Sequence, residues 1–115
     1  MEDKAEVIAP HRPLPQEVSV RQSDIEGLGL FASKFIHKDK ILGISHVWHP
    51  LFPNGWIRTP LGGFYNHSEN PNCKIVNAKI QDGTDVKILK TVRDIPVGEE
   101  LTCYYTIWNI NTIQV

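Results

Sequence analysis

The stretch Lys74-Ile75-Val76-Asn77-Ala78-Lys79-Ile80-Gln81-Asp82-Gly83-Thr84-Asp85-Val86-Lys87-Ile88-Leu89-Lys90-Thr91-Val92 reads as two strands about a turn. Both arms, Lys74–Ile80 and Val86–Val92, are rich in Ile, Val and Leu, which suit a pleated and partly buried surface. Between them Gln81-Asp82-Gly83-Thr84 is a turn, in which Asp-Gly supplies the positive φ angles of a tight hairpin. This hairpin makes an all-β domain the expected architecture.

The same texture continues on either side. Short runs of β-branched, Leu and aromatic residues alternate with Gly, Pro, Asn and Asp clusters, which predicts further strands at Val18–Gln22, Leu28–Ser33, Ile41–Trp48 and Leu101–Ile107. No stretch holds apolar residues at i, i+3, i+4 and i+7 for long enough to specify a helix, so few or no helices are expected. There is no internal repeat. Residues 1–16 combine charges with Pro10, Pro13 and Pro15 and read as a polar arm, either disordered or extended along the body. At 115 residues the chain suits one small domain with one small core.

Composition excludes several functions. Twelve basic and thirteen acidic residues nearly cancel, so there is no cationic field for direct nucleic-acid binding. Cys73 and Cys103 are too far apart for a zinc-ligand pair and too few for a disulfide framework, which suggests two free thiols in an intracellular protein. The acidic start Met1-Glu2-Asp3 carries no secretory signal and no segment is long enough to span a bilayer. A soluble protein without membrane association is expected, nuclear or cytoplasmic. Asn66-His67-Ser68 matches a glycosylation acceptor only formally, because such a protein does not meet the modifying enzyme.

Three clusters carry chemistry. In Gly27-Leu28-Gly29-Leu30-Phe31-Ala32, glycines at the junction of a turn and a strand allow a ligand close to the backbone. The strand-turn-helix context of a dinucleotide site is missing. Tyr65-Asn66-His67-Ser68-Glu69-Asn70-Pro71-Asn72-Cys73 is a dense polar run that reads as a structured, non-strand loop. One His and a distant Cys do not make a coordination shell, and no metal is expected. Val97-Gly98-Glu99-Glu100-Leu101-Thr102-Cys103-Tyr104-Tyr105 is a turn leading into a strand. Alternation sends the two tyrosines to opposite faces. Glu99 and Glu100 read as solvated turn residues rather than a catalytic pair.

In this order, Gly27 to Ala32, Asn66-His67-Ser68 with Pro71-Asn72, and Gly98-Glu99-Glu100-Leu101-Thr102 with Tyr105, the chain resembles the SET-domain protein lysine methyltransferases, in a minimal, stand-alone form covering about residues 17–108. The resemblance implies a β-clip of small curved sheets with a C-terminal pseudoknot-like crossing, residues 1–16 as an arm and residues 109–115 as a tail. It implies S-adenosyl-L-methionine as cofactor, held by Leu28, Gly29, Leu30, Asn66, His67, Tyr105 and Trp108, with Tyr105 catalytic. The implied reaction is lysine methylation of a protein substrate, with histone modification one instance. Its alternative is an inactive SET-like interaction module. Two departures stand out: the segment between Lys40 and Asn66 is short for the insert that helps grip the peptide, and Gly63 stands where many members carry arginine. The missing walls would come from the arm, the substrate or a homodimer partner.

Overall fold

The computed structural model describes residues 14–104. In chain order they form β1 (Val18–Gln22), β2 (Leu28–Ala32), β3 (Ile41–Trp48), β4 (Trp56–Arg58), α1 (Pro60–Gly63), β5 (Asn66–His67), β6 (Cys73–Lys79), β7 (Asp85–Thr91) and β8 (Glu100–Cys103). The strands make two four-stranded sheets, ordered β1-β2-β8-β5 and β4-β3-β7-β6. This is an all-β fold with one helical turn.

The deciding hairpin is present, paired antiparallel from Cys73 with Thr91 to Lys79 with Asp85. Its turn differs from the expected two-residue form. Gly83 N–H donates to the Ile80 carbonyl at 2.9 Å and Ile80 N–H to the Thr84 carbonyl at 3.1 Å. Gly83 has φ +91°, whereas Asp82 is not among the positive-φ residues. Both strands lie one residue earlier than expected, and the loop between them needs a left-handed residue only at Gly83. Asp82 accepts the Thr84 N–H at 2.8 Å, and its bonds to Thr84 hold its carboxyl below the usual range.

Three short elements escaped the sequence patterns. β4 pairs with β3 over His46 with Arg58 to Trp48 with Trp56. Pro60, with its fixed φ, starts α1 directly after Thr59, whose hydroxyl donates to the Ile44 carbonyl at 2.6 Å. Gly62 then presses on β3 so closely that a Cβ would lie 2.0 Å from the Ser45 carbonyl oxygen. β5, and Cys73 at the start of β6, correct the reading of Tyr65–Cys73 as a non-strand loop. Asn66 pairs with Thr102 and His67 with Cys103, in parallel.

The core lies where the sheets meet, with Leu30, Leu89, Ile95 and Leu101 at 0% exposure. The isolated bridge between Ile36 and Ile95 ties the turns after β2 and before β8 together. The second sheet also buries polar groups. His46 is 2% exposed with Nδ1 2.8 Å from Ser45 Oγ. Burial, then the positive charges of Arg58 and Lys87, push its pKa down to about 4. Lys87 Nζ donates to Asn77 Oδ1 at 2.7 Å and sits 4.5 Å from the centre of the Trp56 ring, and burial lowers its pKa. Among the described residues no helix is long and apolar enough to cross a membrane.

Candidate functional site

All three sequence clusters converge on the first sheet. β2 pairs with β8 at Leu30 with Leu101 and Phe31 with Glu100, and β5 lies along the other edge of β8. Leu30 and Ala32 turn into the core, so alternation puts Gly29 and Phe31 on the opposite face. There the Glu100 side chain lies across Gly29, where a Cβ would meet Glu100 Oε2 at 2.2 Å and Asn66 Nδ2 at 3.2 Å. A Cβ at position 29 would therefore push the Glu100 carboxylate out of this polar cluster.

Asn66, 6% exposed, is the hub. Its Nδ2 lies 2.6 Å from Glu100 Oε2, 3.1 Å from Ser23 Oγ, 3.1 Å from the Glu26 carbonyl and 3.4 Å from the Leu28 carbonyl. Carbonyls and a carboxylate only accept, so the amide must present its NH2 here and its Oδ1 elsewhere. Ser23 Oγ already accepts the N–H of Ile25 at 2.8 Å and of Glu26 at 3.3 Å, and its hydrogen goes to Glu100 Oε1 at 2.7 Å. Both carboxylate oxygens of Glu100 thus receive donors. The loop itself is closed by Ser23 N–H to the Gly27 carbonyl at 2.7 Å, with Gly27 at φ +45°. In the register that bonds Ser23 to Gly27, the Leu28 N–H and C=O point away from β1.

A second asparagine fixes the end of the loop. Asn72, 1% exposed, donates to Glu99 Oε2 at 2.8 Å and to the Glu100 carbonyl at 2.7 Å, and its Oδ1 accepts the Thr102 N–H at 2.8 Å. Glu99 also pairs with Arg93 at 2.7 Å. Burial raises the Glu99 pKa, but the bonds from Asn72 and Arg93 and the Arg93 charge outweigh it and hold the carboxyl below its usual range. Glu99 and Glu100 are accordingly not the solvated turn residues expected from sequence. Each is half-buried and bound to a different asparagine.

Of the expected site residues, Leu28, Gly29 and Asn66 meet directly. Leu30 contributes backbone only, since its side chain is core. His67 is adjacent, its ring 5.0 Å from that of Tyr104 at 49°, and its Nε2 lies 3.9 Å from Glu69 Oε2. Tyr104 is 48% exposed and lies just past the end of β8, which stops at Cys103 rather than running on through Tyr104 as expected. Tyr105 and Trp108 lie outside the described residues. Sequence reading missed Ser23, which carries a signal in hindsight: a serine directly after a strand and two to three residues before the amides it caps. Cys73 and Cys103 are buried, and burial pushes the Cys73 thiol up to about 12 and the Cys103 thiol upward as well. Neither is a thiolate nucleophile at neutral pH. A separate groove of about 860 Å³ runs between β1 and α1, lined by Val18, Val20, Pro60 and Phe64 and by none of the site residues above.

Comparison with known proteins bears on this cluster. The sequence pattern of the SET domain matches residues 52–106, which include Asn66, Asn72 and Glu100. A Plasmodium falciparum protein described as a candidate histone methyltransferase has a similar structure, with TM-score 0.66 and 23% identity over 77% of this chain and 92% of that one. A chain from an apo ctPRC2 structure with substitutions in Ezh2 superposes with TM-score 0.62 and 21% identity. That match covers 79% of the present chain and 15% of the larger one.

Proposed function

From the match of residues 52–106 to the SET domain we propose that the chain transfers a methyl group from S-adenosyl-L-methionine to a lysine side chain of a protein substrate. The observation that carries the proposal is the convergence of Gly27–Leu30, Asn66–His67 and Glu100–Cys103 on one sheet. The donor set suits an amino-acid cofactor bearing positive charge. Backbone groups of Leu28 turn outward from β1, and the Glu100 carboxylate adds negative charge. Leu28, Gly29, Leu30, Asn66 and His67 would hold the cofactor, with Trp108 against its adenine. When bound, it supplies an electrophilic methyl on a cationic sulfonium, so the protein's tasks are alignment and exclusion of water.

Tyr105, one residue past Tyr104, would orient the attacking amine through its hydroxyl. A lysine of ordinary pKa, about 10.4, is mostly protonated at neutral pH. An apolar channel would lower that value by desolvation and free the amine to attack. The substrate is a protein with an accessible lysine, and the name of the Plasmodium neighbour makes a histone tail the first one to try. The short segment between β3 and β5 leaves part of the peptide grip to the arm, to the substrate or to a second copy of the chain.

The test is transfer of labelled methyl from S-adenosyl-L-methionine to histones and lysate proteins, by the wild type and by Tyr105→Phe. Labelling of lysine that Tyr105→Phe abolishes supports the proposal. Cofactor binding without labelling points instead to an inactive SET-like interaction module, and absence of both overturns the enzyme reading.

A further inference from the structure

We infer that Glu100 is a positioning residue that lets the site distinguish the cationic cofactor from its neutral thioether product, S-adenosylhomocysteine. This rests on the cofactor reading above. Glu100 is not needed to build the strand: its backbone pairs with Phe31, and the side chain is directed along the outward face to Gly29. There it makes two contacts, Oε2 with Asn66 Nδ2 at 2.6 Å and Oε1 with Ser23 Oγ at 2.7 Å. Those contacts tie β8 to Asn66 and to the Ser23–Gly27 loop that leads into β2.

Two consequences follow from the chemistry of these contacts. First, a carboxylate at this position commits the Asn66 NH2 to Glu100, which fixes the orientation of the amide. Product and cofactor benefit equally, since they differ only in the methyl group and the charge on sulfur. Second, the half-buried negative charge lies directly beneath the Leu28–Leu30 backbone, and a charge of this kind favours a cation over a neutral atom. Arg93, the cation near this end of β8, is paired with Glu99 and leaves Glu100 to the asparagine and serine. Removing the charge should therefore weaken the cofactor more than the product, whereas disturbing the hydrogen bonds alone should weaken both alike.

The experiment is titration calorimetry of S-adenosyl-L-methionine and S-adenosylhomocysteine with the wild type, Glu100→Gln and Ser23→Ala. The readout is the ratio of the product Kd to the cofactor Kd. The ratio is expected to fall at least about five-fold in Glu100→Gln, a modest Coulombic effect for a half-buried charge. In Ser23→Ala, which keeps the charge, it should stay within about two-fold. An unchanged ratio in Glu100→Gln, with both ligands still binding, overturns the inference and leaves the proposed function intact. Failure of the wild type to bind either ligand overturns the proposed function itself. Should Glu100→Gln not fold, Glu100→Met serves, a neutral side chain of similar length that removes the charge. There too the ratio must fall, and an unchanged one overturns the inference.

Discussion

Replacing Asn72 with alanine should remove more stability than any single apolar truncation on the surface of this domain, because one side chain serves two backbone groups in the interior. Asn72 is 1% exposed and Thr102 7%. Asn72→Ala strands the Thr102 N–H, which now bonds to Asn72 Oδ1 at 2.8 Å, and the Glu100 carbonyl, which now accepts from Nδ2 at 2.7 Å. Glu99 keeps Arg93 at 2.7 Å and suffers less. At about 1–3 kcal/mol for each unsatisfied buried group, the cost is about 3 kcal/mol. For a chain of this size that lowers Tm by about 12 °C. Urea and thermal unfolding followed by circular dichroism measure both quantities. Asn72→Asp sharpens the test. It keeps the acceptor for Thr102 but turns the donor facing Glu99 and the Glu100 carbonyl into another acceptor. At neutral pH it should be less stable than the alanine variant, and it should regain stability on acidification. A loss under 1 kcal/mol for Asn72→Ala would refute the hydrogen-bond account of this junction.

Three further outcomes are expected. His46 stays neutral in the fold down to about pH 4, whereas the unfolded chain protonates it near 6.5. The unfolded state therefore binds more protons in that window, and stability falls by about 2–3 kcal/mol as pH drops from 6.5 to 4. His46→Gln should flatten that part of a pH series of urea midpoints. Gly62→Ala should cost about 3 kcal/mol or more, since its Cβ would meet a backbone carbonyl oxygen at 2.0 Å that no rotamer change relieves. Thermal unfolding checks it. Cys73 and Cys103, both 1% exposed, should resist a thiol reagent in the native protein and react fully in denaturant, as a time course of labelling by mass spectrometry would record.

The strands of five residues or more were legible in the sequence because each is long enough to express its residue preferences. β1 and β3 match their expected ranges fully, β2 ends one residue early, and β6 and β7 are each shifted one residue toward the N-terminus. β4, α1 and β5 have three, four and two residues, too few for any period to emerge. They exist because tertiary neighbours hold them: β3 pairs with β4, and β8 with β5. The candidate site was legible as three motifs whose order suggested a family. Its wiring was not. Glu100 and Ser23 lie 77 positions apart, and nothing local in either marks them as partners. The two adjacent glutamates were misread for the same reason, since exposure is decided by what packs over them, here Asn66 and Asn72.

The central claim is that Gly27–Leu30 and Asn66–His67 form one cofactor cleft. Two-dimensional amide NMR of this 13.1 kDa chain, titrated with S-adenosylhomocysteine, tests it most directly. The account predicts saturable shifts concentrated at Leu28, Gly29, Leu30, Asn66 and His67, with little change at Val86, Lys87 and Leu89 of β7. Shifts confined to the groove beside Val18, Val20 and Phe64, or none at saturating ligand, would contradict it.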